Sequence, residues 1–362
     1  MLENKIRIIS AGAGSGKTHR LTEELADLLQ DADSGILPEG IVATTFTRKA
    51  AAELVERLRQ SLFKKQRGQE AEKLSAGLIG TVNSISGILL KQIAFEAGIS
   101  PQLEVVADED QQVIFNKALA ELVDNDKVSE LEDICERLES RNWKEQLKGI
   151  VDAARSNNCS KDDLPGFAKK SVLALMKYVP AKSTSSASKL DKNLFDAITT
   201  AIKNIRKNTA DTTAGTKKYL EFLEGIEVRL KGGQLLSWKE WVDLATSKPT
   251  KASESLTDSV RNAAAVHATH PRFHDDIDNY ITTLFSLASD LIEHYQEYKK
   301  ERGLMDFVDQ ESQLLKALDS EDVRERLSES LDLLLVDEFQ DTSPIQLALF
   351  LKLTDVVKKS IW

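Results

Sequence analysis

The stretch from Ile6 to Thr18 constrains this chain more than any other part of the sequence. It consists of a short apolar run, then a loop of small residues, then Lys17 and Thr18 at the start of a helical pattern. Glycines let such a loop turn tightly and point backbone N–H groups at an anion, and the following helix adds its positive N-terminal end. The order strand, loop, Lys-Thr and helix therefore predicts a phosphate-binding loop.

The loop residues have distinct expected roles. Lys17 would reach the β- and γ-phosphates of a nucleotide, and the Thr18 hydroxyl would bind Mg²⁺. Ala11 stands where the G-x-x-x-x-G-K-[ST] pattern has its first glycine, which is tolerable if φ is negative there. The residues expected to bind the nucleotide are Ala11, Gly12, Ala13, Gly14, Ser15, Gly16, Lys17 and Thr18.

The composition is that of an ordinary globular chain. Its 362 residues are 41% hydrophobic and 29% charged, and this length predicts two domains. The sequence has no apolar stretch long enough to span a bilayer and no secretory signal, so we expect a cytoplasmic protein with no membrane partner. The net charge of -10 argues against a surface that coats nucleic acid as a whole, but it leaves room for a local basic groove.

The first hundred residues alternate strand and helix patterns. Residues 41–46 are β-branched and apolar, as a buried parallel strand should be, and residues 78–82 form a third short strand. A helical pattern begins near Lys49, and residues 88–97 also have helical character.

The middle and the end of the chain differ in character. Residues 108–300 show helix after helix with few strand signals, whereas residues 331–336 are again a near-continuous apolar run. We therefore predict an α/β fold with a parallel sheet and a large all-helical insertion. Residues 1–106 and 291–362 would form a discontinuous nucleotide-binding domain, and residues 107–290 would form the helical insertion domain.

Two acids follow the last strand, at the edge of the sheet where α/β proteins bind ligands. Asp337 suits a Mg²⁺ ligand, and Glu338 suits a general base that orients the attacking water. An Asp-Glu pair after a strand is more often a solvated turn, but its combination with the phosphate-binding loop favours the metal site.

Five segments occur in an order that resembles the N-terminal half of superfamily 1 DNA helicases of the UvrD, Rep and PcrA kind, whose motifs the RecB and AddA subunits of recombination nucleases share. The segments are 11–18, 45–51, 80–84, 305–309 and 336–343. The third is the weakest match, because Asn83-Ser84-Ile85 replaces the usual His-Ser-Phe. The resemblance implies a RecA-like P-loop NTPase fold, and the helical insertion matches by position and helical character only.

This resemblance implies an ATP-dependent DNA helicase or translocase that moves 3′→5′ on single strands in DNA repair or recombination. ATP and Mg²⁺ would be its cofactors, and Gln340 with Asp341 would relay the nucleotide state to the DNA. The residues implied in catalysis are Lys17, Asp337, Glu338 and Gln340.

The same resemblance implies a track for single-stranded DNA along the second and third segments. Phe46 would stack on a base, while Arg48 and nearby hydroxyls would hydrogen-bond phosphates. The alternatives are a core position for Phe46 and a solvated helix start for Arg48. The implied DNA-binding residues are Thr45, Phe46, Thr47, Arg48, Thr81, Asn83 and Ser84. The partner would be single-stranded DNA or a single/double-strand junction, and we further expect a partner subunit or a nuclease domain.

Two departures from the family pattern limit these expectations. No Gln occurs in residues 1–10, so adenine has no visible recognition residue. The sequence stops at Trp362, before the second motor domain and its arginines, so we expect this chain to bind Mg-ATP but to hydrolyse it slowly and not to unwind DNA. The alternative function is an ATP-binding scaffold or regulatory subunit without translocation.

Overall fold

The computed structural model is a mostly helical α/β protein that divides into two compact units. The described residues are 6–10, 16–100, 104–123 and 125–362. The first unit comprises residues 1–114, 152–159 and 295–362. The second unit comprises residues 115–151 and 160–294.

Parallel strands form the centre of the first unit. The described strands are β1 (Ile6–Arg7), β2 (Ile41–Thr45), β3 (Leu78–Thr81), β4 (Glu104–Val105), β5 (Leu304–Met305), β6 (Leu333–Val336) and β7 (Lys359–Ile361). Five of them make one parallel sheet in the order β1-β7-β6-β2-β3, and β4 pairs with β5 in a small second sheet. The order places β6 at the centre of the main sheet.

The helices account for most of the remaining chain. They are α1 (Lys17–Gln30), α2 (Arg48–Lys64), α3 (Gly68–Lys73), α4 (Val82–Gln92), α5 (Asp108–Leu122), α6 (Asn125–Leu138), α7 (Trp143–Ser156), α8 (Leu164–Met176), α9 (Ala187–Lys207), α10 (Ala214–Lys231), α11 (Trp238–Thr246), α12 (Asp258–Ala264), α13 (Pro271–Glu301), α14 (Phe307–Ala317), α15 (Glu321–Ser328) and α16 (Pro344–Val356). Among the described residues, none of these helices is both long and apolar enough to cross a membrane.

The central strand β6 is buried on both faces because helices cover both sides of the sheet. Successive side chains of a strand point to opposite faces. Leu333 and Leu335 accordingly pack into one core with α1 and α2, while Leu334 and Val336 pack into another with α4, α14, α15 and α16. This arrangement explains why the strand is a continuous apolar run rather than an alternating one.

The helix after β3 differs from the prediction for residues 88–97. It begins at Val82, because the Thr81 hydroxyl accepts the backbone N–H of Ser84 (3.3 Å) and caps the first turn. It ends at Gln92, and the following residues form turns. The apolar residues beyond Gln92 are apolar because they are buried and not because they continue the helix. Ile93, for example, is fully buried without being helical.

The described residues of the second unit contain helices and no strand. One core cluster of this unit is built from α9, α10, α11 and α12, with Trp238 and Trp241 among the buried side chains. The two indole rings lie 5.9 Å apart, and the His270 ring packs against both.

One segment that the sequence assigned to the insertion, residues 152–159, groups with the first unit instead. The reason is Arg155, whose guanidinium donates to both carboxylate oxygens of Asp306 (2.9 and 2.8 Å) and to Asp309 (2.6 Å). The fully buried Lys299 pairs with the same two acids. Burial raises the pKa of Asp306, but the charges and hydrogen bonds of Arg155 and Lys299 outweigh it and hold that pKa below its usual range.

We expect Arg155→Leu to destabilise the first unit by about 3–5 kcal/mol, because it leaves two buried acids with one cation. The measurement is the urea midpoint of unfolding. The control is Arg326→Ala, which removes an exposed ion pair with Glu329 and should change stability by no more than about 0.5 kcal/mol. Equal losses of stability in the two variants would contradict the stabilising role of the buried charges around Asp306 and Asp309.

Asp211 connects two loops of the second unit and the first turn of α10 through hydroxyl groups. Four side-chain hydroxyls donate to its carboxylate at distances between 2.6 and 2.8 Å. The donors are Ser253, Thr213, Thr250 and Thr216. These hydrogen bonds, led by that of Ser253, hold the pKa of Asp211 well below its usual range.

The Asp211 network should make stability depend on pH. Because the folded pKa is lowered, its contribution is complete above the unfolded pKa of about 3.9 and is lost as the pH falls towards the folded value. Asp211→Asn should therefore be less stable than the natural protein at neutral pH, with a difference that shrinks below about pH 4. Urea unfolding of both proteins across this pH range measures the difference in stability. A difference that does not change with pH would contradict a stabilising role for the Asp211 charge.

Candidate functional site

The carboxyl ends of the strands bring distant segments of the chain to one edge of the sheet. Because all five strands are parallel, the segments that follow β1, β6, β2 and β3 leave the sheet at that edge. Neighbouring strands lie about 4.8 Å apart, so β1 and β6, which flank β7, are separated by about 10 Å. The chain that leaves β1 and the acids after β6 are therefore close together along this edge.

The predicted phosphate-binding loop is described only at its two ends. Ala11, Gly12, Ala13, Gly14 and Ser15 lie outside the described residues. Before them, the Ile9 N–H donates to the Trp362 carbonyl (2.7 Å) and continues the pairing of β1 with β7. After them, Gly16 has a φ of +79°, which glycine adopts readily, and α1 begins with Lys17 and Thr18. The N-terminus of this 14-residue helix thus follows the loop directly.

The predicted acids lie together where β6 ends. The Asp337 N–H donates to the Thr44 carbonyl of β2 (3.0 Å), and the Asp337 carboxylate accepts the N–H of Glu338 (3.0 Å). The Gln340 amide donates to Glu338 and to Asp341. Glu338 has a φ of +54°, a left-handed conformation that is uncommon for a residue with a side chain. The structure therefore brings three predicted catalytic residues together, on a locally strained backbone.

The segments after β2 and β3 line an open cleft of about 640 Å³ in the first unit. Phe46 lines this cleft and is 52% exposed, so the alternative of a core position is wrong. Among the described residues that line the cleft, Arg48 and Lys91 are cationic and none is acidic, although the whole chain carries a net charge of -10. The other predicted residues that line the cleft are Thr81, Asn83 and Ser84.

Two of the predicted DNA-binding residues do not line the cleft. Thr45 is buried at the end of β2, and its hydroxyl donates to the Thr47 carbonyl (3.0 Å). The Thr47 hydroxyl accepts the N–H of Ala50 (3.1 Å) and caps α2. Both side chains therefore shape the turn that presents Phe46.

One wall of the cleft comes from α14, which the sequence analysis did not connect with DNA binding. Phe307 and Gln310 line the cleft from this helix. Gln310 is only 5% exposed, yet its Oε1 has no hydrogen-bond partner among the described residues. The sequence does contain one signal for this wall, which is Gly87 of α4. A glycine inside a helix costs about 1 kcal/mol relative to alanine and usually has a packing reason.

The residue after Gln310 joins α14 to the helix that follows the acids. The Glu311 carboxylate accepts the Gln346 amide of α16 (2.7 Å), and Gln346 completes a capping box with Ser343. Burial raises the pKa of Glu311. Neighbouring residues of α14 thus contact the cleft and the segment that carries the acids.

The sequence has clear relatives. It matches the family described as the UvrD/REP helicase N-terminal domain over residues 2–360. Similar proteins include ATP-dependent helicase/nuclease subunits of Streptococcus pneumoniae (strain CGSP14), Clostridium novyi (strain NT) and Listeria monocytogenes serovar 1/2a, each 23% identical to this chain. These alignments cover 94% of the chain but only 32% of the first relative and 31% of the other two.

The chain therefore spans about a third of the length of these relatives. The family match covers nearly all of the sequence, including both strand-rich ends and the helical middle. The chain belongs to the UvrD/REP helicase N-terminal domain family.

Proposed function

We propose that this chain is the ATP-binding and single-strand-DNA-binding part of an ATP-dependent DNA helicase or translocase. The observation that carries the proposal is the shared edge of the sheet. One half of this edge has the residues that leave β1 and the acids after β6, and the other half has the cleft after β2 and β3. In this proposal the strand-rich ends form a RecA-like P-loop NTPase domain, and residues 107–290 form an inserted helical domain.

The nucleotide half of the edge suits ATP with Mg²⁺. The loop backbone binds the phosphates, and Lys17 neutralises the charge on the β- and γ-phosphates. The oxygen donors of Thr18 and Asp337 are of the type that Mg²⁺ prefers, and the bound ion would neutralise phosphate oxygens. Glu338 accepts a proton from the attacking water, while Gln340 holds the Glu338 carboxylate in place.

The other half of the edge suits a single strand of DNA. The exposed ring of Phe46 offers a stacking surface for a base, and Arg48 and Lys91 attract phosphates in a cleft with no acid among its described lining residues. Movement in the 3′→5′ direction and a role in repair or recombination follow from the family resemblance. The names of the relatives add a nuclease domain or partner subunit to the proposal.

DNA and nucleotide binding should depend on separate residues of this edge. Phe46→Ala should weaken binding of a labelled single-stranded oligonucleotide by about 5-fold to 150-fold, because one stacked base is worth about 1–3 kcal/mol. A non-hydrolysable ATP analogue should change the DNA affinity of the natural protein but not that of Lys17→Ala. Fluorescence anisotropy at one fixed salt concentration measures both effects.

The matched control for Phe46 is Phe63→Ala. Phe63 is likewise an exposed ring, but it lies near the C-terminal end of α2 and does not line the cleft. Its removal should leave the DNA affinity unchanged. If the natural protein binds no single-stranded DNA with or without nucleotide, the helicase proposal fails and an ATP-binding scaffold becomes the better account.

The strained backbone of Glu338 supports its assignment to the reacting centre and gives a second test. Glycine normally destabilises a protein relative to alanine, but in the left-handed region the order is reversed. Glu338→Gly should therefore be more stable than Glu338→Ala by about 1 kcal/mol, although both lack the carboxylate. Urea unfolding of the two variants measures the difference, and greater stability of the alanine variant would be inconsistent with the left-handed conformation.

A further inference from the structure

We propose that Gln310 recognises the hydrogen-bonding edge of a nucleobase held in the cleft. The chain would then respond to the bases of a DNA strand as well as to its phosphates. This inference rests on the proposed binding of single-stranded DNA in the cleft. It adds a recognition residue from α14, outside the set of residues that the sequence predicted to contact DNA.

The first observation is an unused acceptor in the wall of the cleft. Gln310 lines the cleft but is only 5% exposed, so its amide is part of the wall rather than a mobile surface group. Its Oε1 has no hydrogen-bond partner among the described residues. Buried polar atoms in folded proteins nearly always have a partner, and because this oxygen is itself buried, the donor of a ligand reaches it when the amide turns towards the cleft.

The second observation is the glycine that faces this amide. A Cβ built at Gly87 would lie 3.1 Å from Gln310 Nε2, closer than ordinary packing allows. Gly87 lies inside α4, where glycine is unfavourable for the helix. The space that it leaves is therefore filled by the amide, and the position of Gln310 depends on the absence of a side chain at residue 87.

The third observation is the chemistry around the amide. Phe46 and Phe307 line the same cleft and supply aromatic surfaces suited to the flat face of a base. The amide of Gln310 supplies the hydrogen-bonding group that such surfaces lack. Bases displaced from a stack are recognised by this combination of stacking on aromatic rings and hydrogen bonds to the base edge.

The test uses a short oligothymidylate in which one thymine at a time is replaced by difluorotoluene. This analogue keeps the shape of thymine but has no N–H donor. At one position of the strand, the replacement should weaken binding to the natural protein about fivefold, which is the size expected for one neutral hydrogen bond. Gln310→Leu should bind the natural strand more weakly and should not respond to the replacement at any position.

Gly87→Ala is a second variant that should fold well, because alanine favours the helix, and it should weaken the response because the added carbon shifts the amide by a few tenths of an ångström. Its control is Gly149→Ala in α7, where the added carbon meets nothing and the response should remain. If the natural protein and Gln310→Leu respond equally to the replacement, or neither responds, the inference is overturned while DNA binding stands. If the natural protein binds no DNA, the proposed function itself fails.

Discussion

The constraint on which the rest of the structure depends is the pairing of β6 between β7 and β2. Val336 is paired with Thr44, so Asp337 leaves the sheet beside Thr45, and the next residue of that strand end is Phe46. A shift of this register by one residue would turn every side chain of β6 to the opposite face. Such a shift would also draw Asp332 or Asp337 into the buried apolar strand, which is unfavourable, so the register fixes the acids beside the turn that presents Phe46.

The parts of the fold that the sequence predicted are those with a local signal. Residues 41–46 are β-branched and apolar, residues 331–336 are a near-continuous apolar run, and both form strands of the sheet within one or two residues of the predicted bounds. The acids at 337 and 338 follow the second run directly, and the structure places them at its end. The exposed position of Phe46 also agrees with the stacking role, although the pattern alone could not distinguish it from a core position.

The features that the sequence could not predict depend on residues far apart in the chain. Arg155 and Asp306 are separated by 151 residues, and no local pattern indicates that their side chains meet. The hydroxyls of Thr45 and Thr47 were expected at DNA, but turn and cap hydrogen bonds occupy them. The unused acceptor of Gln310 is also a tertiary property, because only packing against α4 shows that its oxygen has no partner among the described residues.

The position of α14 gives the two halves of the proposed site a short physical connection. Its N-terminus is held by the buried charges around Asp306, so this end of the helix has little freedom to move independently. About one turn further on, Gln310 lines the cleft while Glu311 is hydrogen-bonded to Gln346, which lies six residues after Gln340. The Glu311–Gln346 bond therefore joins the helix that lines the cleft to α16, the helix that follows the acids.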